Sequence, residues 1–333
     1  MSLNAIAASP IADRWRASLL DYLALARLDH STKHVFIIPG FVLAYMLRGP
    51  QGGDLLHATA LGLLSAVLIA SANYVINEWL DREFDAFHPA KSARTCVSKA
   101  LLPQLVYLEY GLFLVPGLIC AALVAPTFLV VAAGFALSGL VYNVRPLRSK
   151  DRAYLDVLSE SINNPIRLML GWAMVDPHTI PPSSLIIAYW MGGAFLMGTK
   201  RLSEYRDITD AGGIDLLHRY RRSFQRYSEH SLLISSFLYA ILSAFFIAVF
   251  LIKYRIEYVL ALPAFASLFA LYLALSLKRD SVAQKPERLM RETRLMLVAG
   301  ATVALLAVLT FTDIPGLKQL SSPHYIDLTL TPG

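Results

Sequence analysis

Nine long blocks of apolar residues constrain the fold of this chain more than any other feature. A helix needs about 20 apolar residues to cross the hydrocarbon core of a bilayer. Because lipid offers no hydrogen-bond partners to an open backbone, such blocks are expected to be helical. The blocks lie at residues 34–49, 55–77, 104–124, 126–143, 155–175, 184–202, 231–252, 256–277 and 293–313. The sequence therefore predicts an all-α, polytopic membrane protein with nine transmembrane helices.

The composition favours a single membrane domain. Of the 333 residues, 56% are hydrophobic and 16% are charged, whereas roughly a quarter of the residues in a soluble domain are charged. We assign residues 34–313 to the transmembrane domain. Residues 1–33 are interrupted by charge and are predicted to form an interfacial amphipathic segment rather than a secretory signal. Residues 314–333 are predicted to form an external C-terminal tail.

The positions of Lys and Arg predict the orientation in a cell (inner or plasma) membrane. With the N-terminus in the cytoplasm, most basic residues fall in cytoplasmic segments, as the positive-inside rule requires. The exceptions are Arg48, Lys253, Arg255 and Lys318 on the other side and Arg167 inside a block. The net charge of +6 is therefore interpreted as topological, and no nucleic-acid partner is expected.

A stripe of polar residues follows the second block. Asn73, Asn77, Asp81 and Asp85 recur every four residues, so on a helix they form one slowly drifting face. Carboxylate and amide oxygens suit Mg²⁺, which takes one or two carboxylates together with substrate phosphates. The alternative is a solvated helix end whose acids pair with nearby basic residues.

Basic residues stand next to this stripe. Lys91 and Arg94 would add positive charge beside a metal ion, and Mg²⁺ with Lys and Arg is the set that a diphosphate requires. His88 precedes Pro89 and is interpreted as a helix stop. The eight histidines show no metal-ligand spacing.

A second acidic segment, predicted as a cytoplasmic loop at residues 203–230, follows the sixth block. Glu204, Asp207 and Asp210 are spaced three apart, and Lys200 and Arg201 precede them. The loop could simply neutralise its own opposite charges. Two acidic and basic segments on the same side, each closing a predicted span, favour a shared pocket that opens to the cytoplasm.

Further basic residues lie between the fourth and fifth blocks. Arg145, Arg148 and Lys150 could hold a phosphate or could anchor the topology. Arg167 differs because an ionisable group at membrane depth is expensive and is a functional candidate by default. Its partner could be Glu160, Asn163 or a substrate phosphate.

Two motifs resemble those of the UbiA superfamily of intramembrane prenyltransferases. The segment "NEWLDREFD" resembles that family's Asn-Asp-x-x-Asp-x-x-x-Asp motif, with Glu78 in its second position. "RDITD" resembles its second Asp-rich motif. The resemblance implies a bundle of nine helices with a cytoplasmic active site, in which Asn77, Asp81 and Asp85 hold Mg²⁺, with Mn²⁺ as the alternative.

Other segments resemble one branch of that superfamily, the decaprenyl-phosphate phosphoribosyltransferases. "DAFHPAKSAR" is similar to that branch's Asp-x-x-His-Pro-x-Lys-x-x-Arg, whereas aromatic prenyltransferases more often show Asn-Arg-Pro-x-Arg-Pro there. "KRLSE", "YRRSFQRY", "ARLDHSTK" and "YNVRPLRSKDRAYLDV" are also similar to segments of this branch.

The branch resemblance implies transfer of a phosphoribosyl group from phosphoribosyl diphosphate (PRPP) to a polyprenyl phosphate, with release of diphosphate. It implies that Asp81, Asp85 and Glu204 are catalytic. The substrate-binding candidates are Lys33, Asn73, Lys91, Arg94, Tyr142, Arg145, Arg148, Arg167, Lys200, Arg201, Asp207 and Asp210. The first alternative is an aromatic prenyltransferase with the same Mg²⁺ site and a prenyl diphosphate donor. A membrane transporter is a remote alternative, because the acids collect at helix ends rather than near the bilayer midplane.

Overall fold

The computed structural model describes residues 15–88, 91–278, 281 and 292–321. Residues 1–14, most of the segment between the last two predicted spans, and residues 322–333 lie outside this range. The predictions for the ends of the chain therefore concern residues that are only partly described. Within the described ranges, the chain is almost entirely helical.

The α-helices are α1 Leu19–Leu25, α2 Ile38–Arg48, α3 Leu55–Asp85, α4 Thr95–Ser98, α5 Pro103–Val124, α6 Pro126–Asn143, α7 Leu155–Ser161, α8 Asn163–Val175, α9 Ser183–Tyr220, α10 Glu229–Tyr254, α11 Leu262–Ser276, α12 Thr293–Phe311 and α13 Pro315–Ser321. Short 3₁₀ helices occupy Leu28–Ile37, Ser149–Asp151, Arg222–Arg226 and Ile256–Ala261. Two-residue strands, β1 Trp15–Arg16 and β2 Lys99–Ala100, pair in parallel.

Six helices in the described part of the chain are long and apolar enough to cross a membrane. They are α3, α5, α6, α10, α12 and the helical segment Ile256–Ser276 that includes α11. The protein is therefore a multi-pass membrane protein. Many large apolar side chains are exposed on these helices, including Leu112, Val130, Phe245, Val303 and Phe311, and an apolar outer surface of this extent fits contact with lipid.

The predicted count of nine transmembrane helices is not confirmed. Of the three remaining blocks, the first gives only the 11-residue α2, preceded by a 3₁₀ segment. The block at residues 155–175 is divided into α7 and α8. The block at residues 184–202 belongs to α9, whose helix runs for 38 residues. The helices of the first two regions are too short to cross a membrane, whereas polar residues lower the hydropathy of the third.

The second acidic segment is helical rather than a loop. Helix α9 continues through it to Tyr220, with a break at Gly213, where φ is 79°. The prediction of a loop at residues 203–230 is therefore wrong for most of that segment. Its charges reflect a helix that extends beyond the apolar region, and charge alone does not end a helix in water.

Helix α8 is the central element of the bundle, and most of its residues are buried. It packs against α2 so closely that two glycines are required at the contact. A Cβ atom on Gly40 would lie 1.9 Å from the carbonyl oxygen of Leu168, and one on Gly171 would lie 2.1 Å from that of Ile37. This contact fixes the depth at which α8 presents its polar residues to the interior.

The long helices place their polar ends together on one side of the bundle. Helix α3 has 31 residues and is therefore about 46 Å long, longer than the hydrocarbon core of a bilayer, which is about 30 Å thick. Its last turns carry the stripe that ends at Asp85. The C-terminal part of α9 and the connection between α6 and α7 meet these turns.

Candidate active site

A network of acidic, basic and tyrosine side chains joins the end of α3, the middle of α9 and the segments that connect the helices. Its members are Asp81, Asp85, Lys91, Arg94, Tyr142, Arg148, Lys150, Asp156, Glu160, Arg201, Glu204 and Arg221. We refer to this set as the ion-pair network. Most of its members were predicted as site residues, although they are far apart in the sequence.

Asp81 contacts the segment that follows α6. Arg148 donates to Asp81 Oδ1 over 3.0 Å, and the ammonium group of Lys150 contacts the same oxygen. Lys150 Nζ and Asn77 Nδ2 both donate to Asn143 Oδ1, each over 2.6 Å. These contacts fold the connection between α6 and α7 over the polar end of α3.

Asp85 is paired with the segment that follows α3. Arg94 donates to Asp85 Oδ2 over 2.6 Å. His88 does more than end the helix, since it is buried and its Nδ1 accepts a hydrogen bond from the backbone of Lys91 over 3.2 Å. Its ring meets that of Tyr220 edge to face, with centroids 4.6 Å apart. His88 therefore helps to hold the turn that carries Lys91 and Arg94.

Lys91 connects the two acidic segments. Its Nζ lies 3.4 Å from Glu204 Oε1 and also contacts the hydroxyl group of Tyr220. The other carboxylate oxygen of Glu204 accepts a hydrogen bond from Arg201 over 2.7 Å. The two segments that were predicted to share one pocket are thus in direct contact.

Arg201 lies at the centre of the network, with only 2% of its surface exposed. Besides Glu204, it pairs with Glu160 over 2.5 Å and with Asp156 over 3.4 Å. The hydroxyl group of Tyr142 donates to Glu160 over 2.7 Å and accepts from Arg221 over 2.7 Å. A buried cation paired with several acids is held in one geometry, because removal of any partner would leave a buried charge.

The environment shifts the pKa values of groups on the connecting segments. Burial lowers the pKa of Lys150 to about 8, although Asp81 acts in the opposite direction. Burial also lowers the pKa of His88 to about 4, so its imidazole is neutral near pH 7 and can accept a hydrogen bond. Burial disfavours the charged form of Arg94, but the nearby Asp85 and Glu78 carboxylates together outweigh it and raise the pKa of Arg94.

The residues proposed to bind metal fit a Mg²⁺ ion that is shared with a substrate. No group of three or more His, Cys, Asp or Glu side chains in the described ranges could hold a metal by itself. Among the contacts that the structure describes, the ion pairs use Oδ1 of Asp81 and Oδ2 of Asp85, and the other oxygen of each carboxylate takes part in none of them. Mg²⁺ typically takes one or two carboxylates and completes its shell with water and phosphate oxygens. Asn77 could add its amide oxygen.

Several predicted site residues lie at the edge of this network. Asp210 is exposed and Asp207 is partly buried on α9. Arg145 is exposed and lines an open cavity with Arg152. Lys200 is partly buried and lies within electrostatic reach of the nearby Glu160 and Glu204 carboxylates. The roles of these residues stay predictions.

Other predicted residues lie deeper in the bundle. The side chain of Asn73 donates to the carbonyl oxygen of Phe135 over 3.0 Å. Lys33 lies over the ring of Tyr74, 5.3 Å from its centroid. Arg167 donates to the carbonyl oxygen of Asn163 over 3.2 Å. Of the protein partners that the sequence allowed for Arg167, the structure therefore shows Asn163, while Glu160 pairs with Arg201.

Four residues of the site were not named as candidates in the sequence analysis, although they lie in segments quoted there: Asn143, Asp156, Tyr220 and Arg221. Asn143 and Asp156 adjoin the basic segment "VRPLRSKDRAY", and their position on either side of it was the available signal. Tyr220 ends α9 and resembles the many other tyrosines of the chain. Only the fold places its hydroxyl group beside Lys91.

Comparison with known proteins identifies the family. A profile of the UbiA prenyltransferase family matches residues 36–301. The chain is 29% identical to the protoheme IX farnesyltransferase of Geobacillus kaustophilus (strain HTA426) over 185 residues, which cover 54% of this chain and 57% of that protein. It is also 29% identical to the protoheme IX farnesyltransferase of Alkalihalophilus pseudofirmus over 224 residues, which cover 64% and 69%. The first match thus spans little more than half of the relative's length.

Solved structures show the same fold. A UbiA homologue from Archaeoglobus fulgidus bound to GPP and Mg²⁺ superposes with a TM-score of 0.64 at 20% identity, covering 87% of this chain and 99% of that one. The same homologue bound to DMAPP and Mg²⁺ gives a TM-score of 0.65 at 19% identity, covering 88% and 100%.

These comparisons support the superfamily assignment and not the branch assignment. The relatives described above are named as farnesyltransferases, so they do not support the assignment to the phosphoribosyltransferase branch. The superfamily itself is confirmed, because the family profile covers well over half of the chain. The chain belongs to the UbiA prenyltransferase family and is a transferase embedded in the membrane.

Proposed function

We propose that this protein transfers a prenyl group from a prenyl diphosphate to an acceptor in a Mg²⁺-dependent reaction that releases diphosphate. The observation that carries the proposal is the arrangement around Asp81 and Asp85. Each carboxylate keeps one oxygen outside its ion pairs, and Arg94, Arg148 and Lys150 surround them. Divalent metal and several cations in one buried place are the groups that a leaving diphosphate requires.

The names of the relatives support this donor. Two bacterial relatives are farnesyltransferases, and the A. fulgidus homologue binds prenyl diphosphates together with Mg²⁺. The prenyl diphosphate reading, our first alternative from the sequence, therefore becomes the leading one.

The residues of the network have distinct roles in this reaction. Asn77, Asp81 and Asp85 would hold Mg²⁺, which supplies Lewis-acid stabilisation of the leaving group when bound. Arg148 and Lys150 are placed to neutralise charge on the diphosphate as the bond to the prenyl carbon breaks. Before a substrate binds, the same cations pair with the carboxylates, so the buried charges stay balanced.

A second candidate donor is PRPP, and one observation favours it. A second cationic group lies beside Glu204, formed by Lys91, Lys200 and Arg201. PRPP carries a 5-phosphate as well as a diphosphate, so it needs positive charge in two places, whereas a prenyl diphosphate needs it in one. With this donor the acceptor would be a polyprenyl phosphate, as the sequence motifs imply.

Heat protection of the purified protein in detergent separates the two donors. We expect geranyl diphosphate with Mg²⁺ to raise the melting temperature, and EDTA to remove the effect. PRPP at millimolar concentration is expected to protect poorly. Strong protection by PRPP and none by geranyl diphosphate would make PRPP the leading candidate donor. Consumption of each labelled donor by membranes that contain the protein provides an independent measurement.

A further inference from the structure

A second cluster of basic residues lies deeper in the bundle than the ion-pair network. It consists of Lys33 and His34 on the 3₁₀ segment before α2, and Arg167 on α8. Arg167 is only 6% exposed. Arg167 lies within electrostatic reach of both Lys33 and His34. We refer to them as the deep cluster.

Polar atoms of the deep cluster have no protein partner among the described residues. Nε of Arg167 and Nδ1 of His34 are buried without a hydrogen bond. The hydrogen bond that Arg167 does make is to the carbonyl oxygen of Asn163 over 3.2 Å. The amide oxygen of Asn73 nearby is also buried without a partner. Buried polar atoms are normally satisfied, so these point to a group that is absent from the protein itself.

Among the side chains that the structure describes, no carboxylate balances the deep cluster. The acid that acts on Lys33 is Glu160, which is already engaged by Arg201 over 2.5 Å. Arg167 instead faces the ring of Phe135, 4.9 Å from its centroid. An aromatic face offsets only part of the cost of burying a guanidinium group, and an anion would offset more.

The deep cluster is separate from the proposed diphosphate site. On α6, Phe135 beside Arg167 precedes Asn143, which contacts Lys150 of the ion-pair network, by eight residues, which is about 12 Å along a helix. On α3, Asn73 precedes Asp81 by the same spacing. One diphosphate is too short to reach both places, so the two sites would bind two different anionic groups.

We propose that Arg167 and Lys33 bind an anionic group, a phosphate or a carboxylate, of the acceptor substrate. The inference rests on the proposed function, because a prenyl transfer needs an acceptor beside the donor. Arg167 supplies the buried charge and hydrogen-bond donors, and the partly exposed Lys33 adds a second cation. A neutral acceptor would leave the deep cluster without a counter-charge.

Heat protection with the donor site already filled tests this inference. The purified protein is saturated with Mg²⁺ and geranyl thiodiphosphate, a donor analogue that resists transfer. Farnesyl phosphate, farnesol, 4-hydroxybenzoate and inorganic phosphate are then titrated separately. We expect an anionic probe, and not farnesol, to raise the melting temperature further. Protection by farnesyl phosphate alone identifies a lipid phosphate, and protection by 4-hydroxybenzoate alone identifies a carboxylate.

Variants assign the effect to the deep cluster. Arg167→Gln is expected to raise the half-protecting concentration of the anionic probe at least tenfold, while that of geranyl thiodiphosphate stays within twofold. Arg167→Lys, which keeps the charge, should be intermediate and provides a test if Arg167→Gln does not fold. The matched control is Arg82→Gln, because Arg82 is a cation near the end of α3 that bonds to the carbonyl oxygen of Trp79. Arg82→Gln should leave the half-protecting concentrations of the anionic probe and of geranyl thiodiphosphate within twofold of their wild-type values.

Three results would overturn the inference. Wild-type protein could respond to anionic probes no better than to farnesol. Arg167→Gln could leave the anionic probes unaffected, which would make Arg167 purely structural. Arg167→Gln could also weaken protection by geranyl thiodiphosphate as much as protection by the anionic probe, which would place Arg167 in the donor site. Failure of geranyl thiodiphosphate to protect the wild type would instead contradict the proposed donor. The anionic probes would then be titrated without geranyl thiodiphosphate.

Discussion

At the scale of single residues, Asp81 and Asp85 illustrate how a local pattern acquires its chemistry. The four-residue spacing places them on one face of α3, but each takes its basic partners from a different segment. Asp81 pairs with Arg148 and Asp85 with Arg94. The alternative that the sequence left open was a solvated helix end whose acids pair with nearby basic residues. Asp85 does pair with the nearby Arg94, but it is buried rather than solvated.

We predict that Asp81→Asn and Asp85→Asn each lower the rate of donor consumption by roughly 10²–10³, because each removes a preorganised charge from the metal and leaving-group site. The measurement is consumption of labelled geranyl diphosphate by membranes, at matched amounts of inserted protein. Glu83→Gln is the matched control, since Glu83 lies off the stripe with an 80% exposed side chain, and it should be mild. Wild-type activity of Asp81→Asn at saturating Mg²⁺ would contradict the metal site.

Tyr142→Phe tests the buried part of the network. Its hydroxyl group donates to Glu160 and accepts from Arg221, so its removal leaves buried partners unsatisfied. We expect a loss of about 1–3 kcal/mol in the free energy of unfolding, seen as a lower melting temperature in detergent. Tyr107→Phe, at an exposed position on α5, should have little effect. Equal melting temperatures for both variants would show that the Tyr142 hydroxyl does not stabilise the network.

At the scale of helices, the close contact between α2 and α8 positions Arg167 within the bundle. The contact depends on backbone atoms approaching one another at Gly40 and Gly171. A side-chain movement could not relieve the clash of an added Cβ there, since the neighbouring atom is a backbone carbonyl oxygen. The sequence shows these glycines only as interruptions of apolar blocks.

Gly171→Ala is predicted to destabilise the protein by about 1–3 kcal/mol, the usual cost of overpacking, because the new Cβ would lie 2.1 Å from a backbone oxygen. Gly134→Ala on α6 is the matched control, since nothing lies within 4 Å of its added Cβ. The control should be neutral or stabilising by up to about 1 kcal/mol, because Ala favours helix over Gly. Thermal unfolding of the two variants in detergent provides the comparison, and equal stability would contradict the packing argument.

At the scale of the whole molecule, the polar ends of α3 and α9 meet on one side of the bundle, and the distribution of Lys and Arg predicts that this side is cytoplasmic. In a variant in which both native cysteines are replaced, a cysteine at Asp210 should react with a membrane-impermeant reagent only from the cytoplasmic side. A cysteine at Gly53, which is exposed on the connection between α2 and α3, should react only from outside. The reverse pattern would move the candidate site to the external face.

The sequence by itself determined the class of the protein and the first half of its site. Hydropathy is a sum over neighbouring residues, so the membrane class follows from local composition. Helical spacing is also local, so the stripe that ends at Asp85 could be predicted before any contact was known. The motif around Asn77 was sufficient to indicate the UbiA family, which the family profile confirms.

Only the tertiary structure decided which charges meet. Lys91 reaches Glu204 across 113 positions of the sequence, and no local pattern encodes such a pairing. The length of α9 and the division between α7 and α8 also escaped prediction, because hydropathy records where apolar residues are and not where a backbone bends. Arg167 could be recognised as unusual from its apolar surroundings, but whether an acid balances its charge depends on every helix that packs around it. That balance is a property of the assembled bundle, and within its described part Glu160 is committed to Arg201.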